Sequence, residues 1–528
     1  AIICKNTEEW AVSAYATYGL SGQHIPMYET QIAKEWEYII RDCGAKVLLA
    51  ANRTVFDQTR NFTEQIETLE HVVLVTGSAD GDVTTYEDLL KTGRENPVEV
   101  QQPESQSPMG MIYTSGTTGN PKGVILSHSN LIFECSIVIP LLGMTKDVRT
   151  LAFLPWAHVF GQVAEVHGII GCGGSAGLVD DVNTLIEELG VVKPSVFFAV
   201  PRVYNRIYDR LREQMKEKPG FIRALFYGGL KQARREREGE TLGFMDNLIL
   251  TLARKIIFKK ILNRFGGNLR IAVSGASALS PAVAEFVNDI GISIYEGYGL
   301  SENTAALSLN YPGVRRFGSV GKPLPGVRIE IDKTVEGSKE EDGEVLAYGE
   351  NIMLGYHNLP DKTKESITEE GGLRTGDLGH LDADGYLYIT GRVKEQYKLE
   401  NGKYVAPAPL EESLKLSAYI DQVLLYGFNR PHNVALIVAA MPAVEKFAEG
   451  LGISGSSESI LSEPRIRQLF KEQLEHYGKD FKGFEHPHNF ALLSEEWDID
   501  NGLLTPTLKL KREVVEEQFK TQIDELFS

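Results

Sequence analysis

The 528-residue sequence predicts an α/β protein in two parts. Residues 1–391 form a large N-terminal domain of two α/β sheet subdomains plus a small β-rich subdomain, and residues 392–528 form a smaller α+β domain. Three observations carry that expectation. Short aliphatic and β-branched runs alternate with helical stretches over residues 1–200, the pattern of parallel strands covered by helices on both faces. Between Gly313 and Tyr388 short strands follow one another at Gly and Pro turns such as Pro323-Leu-Pro-Gly326. Beyond Gly391 a hairpin-like start, two strand candidates and a charged helical tail make a unit of about 135 residues, within the usual domain range.

In chain order, Ala1-Ile-Ile-Cys4 reads as a strand, and because it opens without a methionine an upstream segment is expected. Glu29 to Cys43 is helical, with Gly44 as its C-cap. Ala45–Ala50, His71–Val75 and Thr150–Leu154 are strands bounded by turn signals. Met109–Tyr113 and Gly123–Leu126 are expected to pair as a hairpin. From Tyr204 to Phe265 the chain becomes long helix, dense in Arg, Lys and Glu, with breaks at Pro219-Gly220 and Gly239. Gln232–Glu238 is expected to be a solvated helical face. Around a regular helix, Leu252–Phe265 does not separate into the apolar and basic faces of a membrane-surface segment. Lys255 and Lys259 fall together, but Lys260 and Arg264 land among Leu252, Ile256, Ile257, Ile261 and Phe265, so ordinary packing is expected. Leu269–Val273 resumes the strands, and Val423–Tyr426 and Ala435–Val438 belong to the last domain.

Composition narrows the class. Hydrophobic content of 42% and charged content of 24% are ordinary for a soluble globular enzyme. A formal charge of −18 excludes a general nucleic-acid binder while leaving room for a local basic site for a small polyphosphate. Cys4, Cys43, Cys135 and Cys172 show no paired metal-ligand spacing, which suits a reducing, cytoplasmic setting. No signal peptide is visible, and no window approaches the roughly 18 apolar residues of a membrane span.

Three motifs carry chemistry. Tyr113-Thr-Ser-Gly-Thr-Thr-Gly-Asn-Pro-Lys-Gly123 places the hydroxyls of Ser115, Thr117 and Thr118 beside Gly116 and Gly119, with Lys122 closing the run. Glycines admit backbone N–H groups to an anion, hydroxyls donate to phosphate oxygens and lysine neutralises charge. The spacing is not that of the Walker loop. An isolated stretch of this composition is more often a surface turn, and the two motifs downstream reverse that balance. Tyr295-Glu-Gly-Tyr-Gly-Leu-Ser-Glu-Asn303 presents Tyr298 between Gly297 and Gly299 at a bend, with Ser301 and Glu302 following. A carboxylate beside a triphosphate suits Mg²⁺, which takes few protein ligands and leans on phosphate oxygens; the plainer alternative is a strand end with a Ser-Glu cap. Gly372-Leu-Arg-Thr-Gly-Asp-Leu378 offers Asp377 in a tight Gly turn, able to accept from both ribose hydroxyls. Tyr388-Ile-Thr-Gly-Arg-Val-Lys394 and Lys398-Leu-Glu-Asn-Gly-Lys-Tyr404 gather basic side chains close behind.

Together these residues resemble the acyl-adenylate-forming superfamily of acyl-CoA synthetases, luciferases and peptide-synthetase adenylation domains, in the family's order and over essentially the whole chain. Within it the sequence is most similar to long-chain fatty acid–CoA ligases. The grounds are Leu154-Pro-Trp-Ala-His-Val-Phe160, the helical stretch after Pro201-Arg-Val-Tyr-Asn-Arg-Ile207, and Gly502-Leu-Leu-Thr-Pro-Thr-Leu-Lys-Leu-Lys-Arg512. By that resemblance Thr114, Ser115, Gly116, Thr117, Thr118, Gly119 and Lys122 would bind the ATP β- and γ-phosphates. Tyr298 would stack on adenine, Ser301 would touch the α-phosphate, and Glu302, with Thr117, would hold Mg²⁺. Asp377 would bind the ribose, with Arg392 nearby. His158, which alone reads as a satisfied core histidine, matches the family's His near the acyl carboxylate. Gly391 to Lys398, including Lys394 and Lys398, matches the hinge of a mobile C-terminal lid. The catalytic lysine usually follows Pro-Arg-Thr-x-x-Gly-Lys, whereas here Thr505-Pro-Thr-Leu precedes Lys509. The long-chain branch shares this shortened form, and the spacing to Arg512 favours Lys509 over Lys511.

The resemblance implies ATP, Mg²⁺ and coenzyme A, a fatty acid substrate, peripheral contact with a membrane, and a monomer or homodimer. Alternatives are a fatty acyl-AMP ligase loading a carrier protein, a luciferase-like oxygenase, and a non-enzymatic acyl or nucleotide sensor. The acyl chain is expected to lie among residues 153–170, 197–206 and 273–279.

Overall fold

The computed structural model describes residues 1–77, 83–114, 120–179, 181, 184–336, 338, 341–499, 501–505 and 509–528. Ile2–Ile3 is an inner strand of a four-stranded parallel sheet, between Pro26–Met27 and Val47–Ala50, with His71–Leu74 outermost. Both faces are covered, so the strands are apolar runs, and Ile3, Trp36, Ile39, Ile40, Leu48 and Leu74 pack together beneath the helices. The helix ends as expected, with Gly44 left-handed at φ 64° and its N–H on the Ile40 carbonyl. It begins at Ala33 rather than Glu29, because the Gln31 side chain accepts from Tyr28 N–H and holds the preceding residues in a turn.

A second sheet runs in the order Lys322–Pro323, Ser308–Leu309, Ser293–Tyr298, Ile271–Ser274, Val196–Ala199. Its last three strands are parallel and the first two are added antiparallel. Pro108–Thr114 and Lys122–Ser127 form the expected antiparallel pair, with Thr114 opposite Lys122, and Gly355–Tyr356 joins as a third strand with Tyr356 opposite Val124. Arg149–Ala152 lies parallel to Ser175–Leu178.

The helical stretch comprises Pro201–Lys216, Gly220–Arg237 and Phe244–Ala253, the last continuing through a π-helical turn, Arg254–Phe258, into Lys259–Arg264. A Cβ on Gly229 would lie 2.3 Å from that of Ala253, so two of these helices pack in close contact. Gln232 and Ala233 are buried, which corrects the expected solvated face at those two positions, while Arg234, Glu236 and Glu238 are exposed as expected. Arg328–Asp332, Gly343–Tyr348, Leu373–Leu381 and Leu387–Arg392 form a four-stranded sheet.

The chain packs into two compact units, residues 1–330, 346–375 and 382–387 in one and 331–345, 376–381 and 388–528 in the other. The second contains the hairpin Tyr397–Lys398/Tyr404–Val405 and the sheet Ile420–Tyr426, Asn433–Ala439, Pro487–Leu493. One face of that sheet packs on Leu410, Val444, Ile466 and Phe470, the other on Trp497, Val515 and Ile523. Cys4, Cys43, Cys135 and Cys172 are free thiols. Among the described residues no helix is long and apolar enough to cross a membrane.

Candidate nucleotide and acyl-activation site

Strand alternation places Lys122 and Val124 on one face of the hairpin, and Tyr356 enters that face opposite Val124. The Lys122 ammonium consequently stands 5.3 Å from the centroid of the Tyr356 ring. The Tyr356 hydroxyl donates to Glu302 Oε1 at 2.8 Å, and Met353 N–H donates to the Glu302 carbonyl at 2.8 Å. Burial first, and the Glu302 carboxylate second, push the Tyr356 hydroxyl well above its ordinary pKa, so it remains a donor. Lys122 of the first motif and Glu302 of the second are thus joined through one tyrosine. Ser115, Gly116, Thr117, Thr118 and Gly119 lie outside the described residues.

Glu302 sits on a single 3₁₀ turn, Ser301–Asn303, at the end of the strand that carries Gly297 and Tyr298. Ser301 is buried and Tyr298 half-buried. Asn303 Oδ1 accepts from Leu300 N–H at 2.6 Å and fixes the start of the turn. Thr304 and Ala305 follow with φ of 61° and 98°, a conformation that costs non-glycine residues energy. That backbone is held from the neighbouring loop. Thr304 Oγ1 donates to the Asn351 carbonyl at 2.9 Å and Asn351 Nδ2 to the Ala306 carbonyl at 2.8 Å. Asn130 Nδ2 in turn donates to the carbonyls of Glu350 and Ile352. Beneath them Glu134 is buried, which pushes its carboxyl well above the usual range despite hydrogen bonds from Asn351 and Ala306.

His158 caps a short helical turn, its Nδ1 accepting from Phe160 N–H at 3.2 Å, so the neutral ring carries its proton on Nε2. The loop before it is gripped from both sides. Asn6 donates to the Leu154 carbonyl at 2.8 Å and accepts from Trp156 N–H at 3.0 Å. Glu165, buried, accepts from Phe153 N–H, Leu154 N–H and Trp156 Nε1–H at 3.3–3.5 Å. Phe160 packs edge-on to Phe198, and a Cβ on Gly275 would lie 3.2 Å from its ring. Phe153 stacks on Phe197, and Tyr204 donates to the Val273 carbonyl. The segments 153–170, 197–206 and 273–279 therefore meet.

In the second unit Asp377 is buried and accepts from Arg392 Nε at 2.6 Å. It stands within the strand Leu373–Leu381 rather than in a tight turn, and only Gly376 beside it is left-handed, at φ 72°. Val393 N–H bonds the Gly376 carbonyl, so the Arg392–Lys394 segment is laced to this strand. Lys394 is exposed, and Lys398 lies over the Tyr404 ring at 5.2 Å. Lys509 is exposed; its N–H donates to Thr505 Oγ1 and its carbonyl accepts from Thr505 N–H, which ties it to Thr505. Arg512, three residues on, donates to Glu411 at 2.6 Å and to the Leu425 carbonyl.

Tyr356, Asn130 and Asn351 were not expected from sequence. The Ser127–Asn130 spacing is a capping-box signal for the helix His128–Leu141, and the box forms: Ser127 is the N-cap and Asn130 Oδ1 accepts from its N–H. Nothing local marks Tyr356 or Asn351, whose partners come from distant segments.

The AMP-binding enzyme family matches the chain over residues 1–357, and the chain belongs to that family. It is 31% identical to long-chain-fatty-acid–CoA ligase 1 of Homo sapiens over 100% of this chain and 78% of the relative. It is 30% identical to long-chain-fatty-acid–CoA ligase FadD15 of Mycobacterium bovis, over 98% and 86% of the two. In fold it is similar to the adenylation domain of a carboxylate reductase from Mycobacterium chelonae, with a TM-score of 0.79 covering 100% of this chain and 80% of that one at 21% identity. The α/β class expected from sequence is borne out.

Proposed function

We propose that the enzyme activates a long-chain fatty acid with ATP, releasing pyrophosphate, and then transfers the acyl group to coenzyme A with release of AMP. The observation that carries this reading is the Lys122–Tyr356–Glu302 array, which joins the polyphosphate-type loop to an acidic group suited to a phosphate-bound cation. Glu302 fits that role: Oε1 is held by Tyr356, and Oε2 accepts no hydrogen bond among the described residues. Among the described residues no group of three or more His, Cys, Asp or Glu side chains could hold a metal by itself, and triphosphate oxygens would complete the shell around Glu302. When bound, Mg²⁺ would supply positive charge to the polyphosphate.

In the first half-reaction the fatty carboxylate attacks the α-phosphorus in line and pyrophosphate leaves. It needs no general base, because a carboxylic acid with a pKa of about 4.5 is ionised at neutral pH. Negative charge spreads over the phosphoryl oxygens, and Lys122, Ser301 and Lys509 act on it by position and electrostatics. Tyr298 stacks on the base, and Asp377, oriented by Arg392, takes the ribose hydroxyls. His158, whose Nδ1 accepts from Phe160 N–H, would orient the acyl carboxylate. In the second half-reaction the coenzyme A thiol attacks the acyl carbon and AMP leaves. Residues 392–528 act as a lid that turns near Lys394, delivering Lys509 for the first step and removing it for the second. The free thiols and acidic composition support a cytoplasmic location, with the enzyme meeting its substrate at a membrane surface.

Lys509→Ala tests the assignment. Pyrophosphate exchange should be lost while thioester formation from preformed acyl-AMP is largely spared; equal loss of both halves would remove Lys509 from its role. AMP release across fatty acids of graded length, with and without coenzyme A, fixes the acyl class. It also separates the ligase from acyl-AMP transfer to a carrier protein.

A further inference from the structure

The helix that begins at Phe244 is apolar on two faces. One is buried: Leu250, Ala253, Ile257, Phe258 and Ile261 pack inward. The other faces solvent, with Phe244, Met245, Leu248, Leu252 and Ile256 exposed, Phe244 at 82% and Met245 at 63%. Phe244, Leu248, Leu252 and Ile256 recur every four residues, so they form a single stripe. Phe221 on the neighbouring helix is 72% exposed. Scattered surface hydrophobics are ordinary, but a continuous stripe of large side chains marks a contact surface.

The cations are sorted along the same stretch. Lys255, Lys259 and Lys260 are exposed and form no ion pair among the described residues. The neighbouring arginines, by contrast, are neutralised: on the preceding helix Arg234 pairs with Glu238 and Arg235 with Glu240 and Asp246, and Arg254, next to Lys255, pairs with Glu236. A regular-helix projection scatters Lys260 among the apolar positions. The π-helical turn Arg254–Phe258 inserts the offset that sends Ile257, Phe258 and Ile261 inward and the three lysines outward. Within a chain of net charge −18, this is an apolar stripe ending in three unneutralised lysines.

We propose that this face docks the enzyme on an anionic lipid bilayer. Apolar side chains would enter the headgroup boundary, and the lysines would meet lipid phosphates and carboxylates. The stripe runs along the length of a helix, so the contact would lie in the interface plane; among the described residues no helix is long and apolar enough to cross a membrane. This gives a surface to the peripheral contact proposed above and rests on that reading for its purpose.

The test is co-sedimentation of the full chain with phosphatidylcholine vesicles containing about 30% phosphatidylserine, compared with phosphatidylcholine alone. Binding is expected only to the anionic vesicles and should weaken at about 0.5 M salt. Lys255→Glu/Lys259→Glu/Lys260→Glu should cut partitioning about a hundredfold, and Phe244→Ser/Leu248→Ser about tenfold. All of these side chains are exposed, so both variants should keep wild-type pyrophosphate exchange with a water-soluble acid. Absent vesicle binding, or binding unchanged in both variants, overturns the proposal. So does a concentration-dependent dimer abolished by Phe244→Ser/Leu248→Ser without vesicle binding, which would assign the stripe to a second copy. Loss of exchange in the wild type would instead sink the ligase reading and leave the vesicle result standing.

Discussion

Tyr356→Phe isolates one bond at the centre of the proposed site. The substitution removes the hydroxyl that donates to Glu302 at 2.8 Å and keeps the ring beneath the Lys122 ammonium at 5.3 Å. A hydrogen bond to a charged group contributes about 1.5–3 kcal/mol. Its loss, expressed in the transition state, lowers a rate constant about 10- to 150-fold. Because the hydroxyl acts through Glu302, the deficit should appear mainly as a raised magnesium requirement. ATP–pyrophosphate exchange measured across a magnesium series should show kcat/KM reduced by that factor at low metal, with partial recovery at high metal. Folding should barely respond, since Glu302 is only half-buried and water can replace the lost donor; about 1 kcal/mol is the expected cost. Exchange kinetics indistinguishable from wild type at every magnesium concentration would refute the assignment of Tyr356 as the residue that positions Glu302. A rate loss matched by equal loss of folded protein would reduce it to a packing residue.

Two further changes probe the surroundings. Burial pushes Glu296 up to about 8, far above an ordinary glutamate, while Leu279 N–H holds its Oε1 at 3.2 Å. Its proton is retained in the folded protein and lost from the unfolded chain between about pH 4.5 and pH 8, so stability should fall as pH rises through that window. Glu296→Gln should flatten the decline and be the more stable protein above about pH 8, by a few kcal/mol at most. Urea unfolding of both proteins across pH checks the sign. Asn130→Ala strips the carbonyls of Glu350 and Ile352 of their shared donor and removes the capping-box bond in which Asn130 Oδ1 accepts from Ser127 N–H. A cost of about 2–4 kcal/mol is expected in urea unfolding, and exchange activity should fall with it as the loop behind Glu302 loosens.

The fold was legible where a strand is short, apolar and closed by turn residues. Val47–Ala50, His71–Leu74, Arg149–Ala152 and Ile271–Ser274 all stand within a few residues of where their runs place them. The misplacements have local physical causes. A side-chain bond from Gln31 delays one helix, and a π turn shifts the wheel of another, so that Lys260 faces out where a regular helix turns it inward. Gln232 and Ala233 were read as solvated because charge dominates their stretch, yet both are buried on a helix that packs closely on its neighbour at Gly229. Sequence periodicity reports the element's own geometry and cannot report a neighbour that approaches through a missing Cβ.

The same distinction governs the site. Lys122, Glu302 and Asp377 stand out as site candidates in the sequence because each lies in a contiguous stretch whose composition is itself unusual. Tyr356 and Asn351 act only through partners far along the chain, and a lone Tyr or Asn in a strand or loop carries no signal. Gly299 was legible for a reason the structure replaces. As a flank of Tyr298 it reads as backbone freedom at a bend, yet its φ is not positive, and a Cβ there would lie 2.0 Å from the Ala305 carbonyl oxygen. It is required for room. The left-handed backbone lies downstream, at Thr304 and Ala305, where no glycine relieves it. Strain of that kind persists only when surrounding bonds over-determine it. Here Asn303, Asn351 and the close pass of Gly299 do so, and Glu302 is the residue they bracket. The turn is therefore set before any ligand arrives, which is what an electrostatic role for Glu302 demands, since a carboxylate that must reorganise to meet charge gives back part of what it contributes.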